Sequence, residues 1–91
     1  MSAFHYKAEK IEHRKGMTRY RFFLNYIDRE DLQGIAVFDH EDVSYQVESR
    51  CYKLTSEMRK REKKFLSAIL HKLRKMTENG DALPAAIYHV G

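Results

Sequence analysis

Apolar and polar positions alternate from the first residues onward. Phe4, Tyr6 and Ala8 interleave with His5, Lys7 and Glu9, the period of two that lines one face of a strand. "HRKG" ends in Gly16, a residue that accepts the positive φ hairpin turns often need, and predicts a turn. "MTRYRFFLNYI" then gives the clearest strand. Tyr20, Phe22, Leu24 and Tyr26 share one face, and Arg19, Arg21, Phe23 and Asn25 share the other. "DREDLQG" reads as a polar loop, "IAVF" as a short third strand and "DHED" as a turn.

Residues 43–54 admit two readings. As a strand, Val43, Tyr45, Val47 and Cys51 face inward against Ser44, Gln46, Glu48 and Arg50, which makes Cys51 a small buried hydrophobe. As a helix, Val43, Val47, Cys51, Leu54 and Met58 form the stripe, with Asp39 or Asp42 as the cap. Their β-branched and aromatic content favours the strand.

A helix over 56–77 follows. Met58, Phe65, Ile69, Leu73 and Met76 recur at three- and four-residue spacing, with Leu66 and Leu70 widening the stripe. Thr55 or Ser56 caps it, Glu57 suits its positive end, and "NG" at 79–80 stops it. Glu62 projects into the apolar stripe, so it should sit at a sheet edge paired with an arginine. "AAIYHV" after Pro84 reads as a last strand. The expected fold is α+β, a mostly antiparallel sheet of four to five strands under one long C-terminal amphipathic helix.

Charge adds what the pattern does not show. The 91 residues make one domain, 1–91, of net charge +4, but the charge is segregated. Residues 1–27 hold six Lys/Arg against two Glu, 28–48 one Arg against seven Asp/Glu, and 49–77 ten Lys/Arg against two Glu. Such a field speaks to partners rather than to fold. A single cysteine, a start without the basic-then-apolar order of a secretory signal, and no long apolar run predict a cytoplasmic protein that avoids membranes.

Familiar catalytic constellations are missing from the sequence. His5, His13, His40, His71 and His89 form no His-Glu-x-x-His motif, and no paired cysteines offer a zinc site. "DHED" lacks the spacing and central glycine of a calcium loop, and no Gly-x-Gly pair could cradle phosphate. A metal-independent nuclease built on His, Arg and Lys is the one catalytic class left open. The expectation is a non-enzymatic protein without cofactor or metal. "KGMTRYRFF" places Lys15, Gly16 and Phe22 as the RNA-recognition signature does but departs from it at Met17, Thr18, Arg19 and Tyr20, so that family is not assigned.

The opening of the helix, "MRKREKKF", carries the functional expectation. Lys60, Lys64, His71 and Lys75 fall on one stripe at about 100° per residue, with Arg59, Lys63 and Arg74 beside it. Like charges at Arg59/Lys63 and Lys60/Lys64 each cost about 0.2–0.5 kcal/mol, a strain an external polyanion would relieve. Arg19, Arg21 and Phe23 on the second strand could add cations around a stacking surface. Nucleic acid is the favoured partner. The alternative is a small inhibitor or adaptor docking on an acidic surface of a larger nucleic-acid-handling complex through Asp28, Glu30 and Asp31 with Lys60 and Lys64. Complementary charge blocks also allow a homodimer.

Overall fold

Alternation along the first half of the chain is realised as a four-strand meander, and the computed structural model describes residues 4–90. In chain order the elements are β1 (His5–Arg14), β2 (Met17–Phe23), β3 (Gln33–Asp39), β4 (Ser44–Arg50), α1 (Ser56–Glu78) and β5 (Ala86–Val90). The sheet order is β4-β3-β2-β1-β5 with every neighbouring pair antiparallel. The chain thus leaves the sheet at one edge, crosses its face as α1, and returns at the other edge as β5. This is the α+β class the pattern predicts; within 43–54 the strand spans Ser44–Arg50, while Val43 belongs to the turn before it, at φ 51°. No helix among the described residues is long and apolar enough to cross a membrane.

One face of the sheet is sealed by α1. Phe65, Leu66, Ile69 and Leu73 meet Tyr6, Ala8, Tyr20, Phe22, Leu24, Ala36, Phe38 and Ile87, all buried. Tyr6 stacks on Phe65 with ring centroids 4.9 Å apart. Each such large side chain contributes about 1.5–3 kcal/mol of transfer free energy. Tyr20 keeps its polar end satisfied by donating to the Pro84 carbonyl oxygen at 2.8 Å, and burial pushes its pKa up to about 12.

Gly34 is fixed by packing. It lies opposite Phe22 on β2, and a Cβ there would come within 2.5 Å of the Ser49 carbonyl oxygen and 2.6 Å of the Phe22 ring. The carbonyl belongs to the β4 backbone and cannot swing aside. Gly34→Ala should therefore cost about 1–3 kcal/mol, the range for overpacking a filled core, measured as a lower urea midpoint with an unchanged slope.

Two irregularities interrupt the strand alternation, and the first overturns a facing assignment made from parity. The β3–β4 register shifts between Ile35 and Ala36, so Val47 pairs with Ala36 but Ser49 with Ile35. One extra residue reverses every side chain after it. Cys51 is consequently exposed rather than buried, and Arg50 turns toward the helix. The second shift, between Lys10 and Glu12, carries Glu12 to the open face beside Arg19 and His13 to the helix face beside Thr18. The second strand also ends sooner than its apolar run suggests, at Phe23. Tyr26 lies past that end, with its ring beside His5 and Tyr88 instead of under the helix.

Candidate nucleic-acid interface

The helix is unbroken from Ser56 to Glu78 and capped at both ends. Thr55 accepts from the Met58 N–H through its side-chain oxygen. At the far end Gly80 takes φ 76°, and the Gly80 and Asp81 N–H groups donate to the Thr77 and Met76 carbonyls. That reversed pair of bonds satisfies the orphan carbonyls of the last turn and fixes where the helix stops.

Burial of Glu62, Phe65, Leu66, Ile69 and Leu73 sets the helix rotation. Lys60, Lys64, His71 and Lys75 are then on the opposite, solvent side, with Arg59, Lys63 and Arg74 exposed on its flank. From Lys60 to Lys75 the stripe runs about 22 Å at 1.5 Å per residue. Lys60, Lys63, Lys64, Lys72 and Lys75 enter no ion pair among the described residues. Arg61 is bound to Glu57 at 2.6 Å and lies over the Phe4 ring, and Arg74 is bound to Glu78 at 3.1 Å.

The acidic middle of the chain does not neutralise this face. Glu48 pairs with Arg19, Asp31 with Arg29, and Asp39 accepts from the Glu41 and Asp42 N–H groups in its own turn. The Arg29 guanidinium holds the Asp31 carboxyl below its ordinary pKa. Asp28 and Glu30 are exposed in the β2–β3 loop, and neither reaches Lys60 or Lys64.

Glu62 is the acid that does meet a basic residue at the sheet edge, as the sequence predicts. Arg50 of the edge strand β4 grips its two oxygens, each at 2.7 Å, and the Tyr52 hydroxyl donates to the same carboxylate. Burial alone would raise the Glu62 pKa, but the Arg50 and Tyr52 hydrogen bonds outweigh it and hold the group below the usual glutamate value. Burial and the adjacent carboxylate push Tyr52 up. This knot ties the start of α1 to the sheet and keeps the basic stripe turned outward.

Arg19, Arg21 and Phe23 lie on the sheet face that α1 does not cover, so they point away from the helix stripe. One rigid ligand cannot press on both surfaces. Arg19 is also occupied, held by Glu12 at 2.8 Å and Glu48 at 2.7 Å, and is not a spare cation. Arg21 is exposed and enters no ion pair among the described residues. Phe23 is half-buried beneath the Lys7 ammonium, 5.9 Å from its ring centroid.

Sequence reasoning missed a polar relay at the other end of the helix. Thr77 Oγ1 donates to the Leu73 carbonyl, so it accepts from His40 Nδ1–H at 3.1 Å. His40 Nε2 is left to accept from the Thr18 hydroxyl at 2.8 Å, and Thr18 in turn accepts from His13 Nδ1–H at 2.9 Å. Thr18 shares parity with Tyr20, Phe22 and Leu24, and a hydroxyl on a buried face signals that a polar partner must be near. In this arrangement His40 is neutral. Burial, then repulsion from His13, lowers its pKa below 6.5, against a smaller opposing pull from Asp39.

A lowered histidine pKa means the unfolded chain takes up the proton first. This contribution to stability is complete above pH 6.5 and is lost as the pH falls through the folded-state value. Thermal melts should show the wild-type midpoint falling on acidification from about pH 7.5 to 5.5, and His40→Gln should flatten that part of the curve. The Glu62 contribution fades only at lower pH, beneath the ordinary glutamate value near 4.5.

No protein-family model, curated protein or solved structure matches this chain.

Proposed function

We propose that the solvent face of α1 docks on the phosphate backbone of a nucleic acid, and that the protein acts by binding rather than by bond chemistry. The observation that supports this most is the set of unmatched cations at Lys60, Lys63, Lys64, Lys72 and Lys75 on a helix whose reverse side is locked into the core. Phosphate oxygens would take the place of the carboxylates these side chains lack, releasing condensed counterions from the nucleic acid. Lys60, Lys64 and Lys75 supply the contacts along the stripe, with Lys63, His71 and Arg74 beside them and Arg59 toward the β4 side. Arg19 is assigned no role, because Glu12 and Glu48 already hold it.

Pull-down of the tagged protein, with and without nuclease, tests the reading. Nucleic acid should co-purify, and protein partners should vanish on nuclease treatment. A protein complex that persists after nuclease would instead identify an adaptor or inhibitor, in which Asp28 and Glu30 join Lys60 and Lys64 in the contact.

A further inference from the structure

The uncovered face of the sheet holds a row of side chains that neither the core nor the helix stripe uses. Tyr88 on β5, Lys7 on β1 and Phe23 on β2 are register partners across neighbouring strands. The Lys7 ammonium lies 5.8 Å from the Tyr88 ring centroid, 5.9 Å from that of Phe23 and 5.6 Å from that of Tyr26. Tyr26 meets Tyr88 edge-on at 5.9 Å. Tyr88 is 60% exposed, and Val90, two residues further along β5, is 62% exposed. Arg21, one pair further along β2, is exposed and without an ion pair among the described residues. Of the acids on this face, Glu9 is 3.5 Å from Lys7, while Glu12 and Glu48 are turned onto Arg19. β5 itself carries no Lys, Arg, Asp or Glu.

We infer that this row is a stacking site for unpaired nucleobases and that the ligand class includes single-stranded nucleic acid, an assignment that rests on the nucleic-acid reading of α1. Tyr88 and Phe23 stand two strand spacings apart, about 10 Å, room for two or three splayed bases on an open antiparallel sheet. Every base offers a π-face, so such a row binds without reading sequence. Lys7 supplies positive charge between the two rings, where the linking phosphate would pass, and Arg21 extends it. A duplex keeps its bases stacked internally and gains nothing from the rings. The opposed directions of the two faces make them separable by mutation.

The test is fluorescence anisotropy with a labelled 12-nucleotide oligouridylate and a duplex of equal length. Wild type should prefer the single strand. Tyr88→Ala, an exposed change whose fold circular dichroism checks, should weaken it roughly 5- to 100-fold. Tyr88→Phe should restore binding, the duplex should be indifferent to both changes, and the salt dependence should stay the same. Crosslinks from 5-bromouridine should map to Tyr88 or Phe23. If Tyr88→Ala binds like wild type while neutralising Lys60, Lys64 and Lys75 abolishes binding, the stacking site falls and the helix reading stands. If neither oligonucleotide binds wild type, both fall. If Tyr88→Ala merely turns a dimer into a monomer by light scattering, the row is a self-association surface and the stacking site is refuted.

Discussion

Arg50→Ala should lower the unfolding free energy by about 2–3 kcal/mol, just below the cost of breaking a fully buried ion pair. The reason is asymmetry of exposure. The Glu62 side chain is 7% exposed, and without Arg50 it keeps only the Tyr52 hydroxyl. The Arg50 side chain is 31% exposed, so water already reaches part of it and softens the loss. Replacing the whole knot is a different matter. Arg50→Met, Glu62→Leu and Tyr52→Phe together remove every partner at once and leave no orphaned charge. That triple variant should lie within about 1 kcal/mol of wild type by urea unfolding. A triple variant as unstable as Arg50→Ala would mean that the knot stabilises the fold outright rather than merely being costly to break.

The second large effect has opposite signs for binding and stability. In Lys60→Gln/Lys64→Gln/Lys75→Gln, nucleic-acid affinity should fall by about 100-fold or more near 100 mM salt, since three phosphate contacts are lost. Thermal stability should hold or rise. The variant removes the Lys60/Lys64 repulsion and leaves the Glu57–Arg61 pair in place. Loss of binding together with loss of stability would show that the cations serve the fold.

Much of this was legible in the sequence because its signals are local. Tyr20, Phe22 and Leu24 fixed the core face of β2, and the stripe from Phe65 to Leu73 fixed the rotation of α1. Glu62 inside an apolar stripe announced an arginine partner before its location was known. The errors arose where an extra residue enters a strand. The shifts beside Glu12 and Glu48 are set by pairing with neighbouring strands, and nothing in either strand's own alternation marks them. Cys51 and Arg50 therefore exchanged faces. Arg19 looked like a spare cation because its two carboxylates, Glu12 and Glu48, come from different strands and meet it only through the register. Lys7 among Phe23, Tyr26 and Tyr88 was invisible for the same reason: its rings are drawn from distant parts of the chain.

Unmatched positive charge along the outward side of α1 is read out by the salt dependence of oligonucleotide affinity, compared between wild type and the Lys60→Gln/Lys64→Gln/Lys75→Gln variant. The logarithm of the association constant for wild type should fall linearly with the logarithm of salt concentration, with a slope of about −3 to −5. Neutralising Lys60, Lys64 and Lys75 should flatten that slope by about one unit per lysine. A wild-type affinity indifferent to salt, or a slope that the substitutions leave unchanged, would mean that these lysines do not meet phosphate.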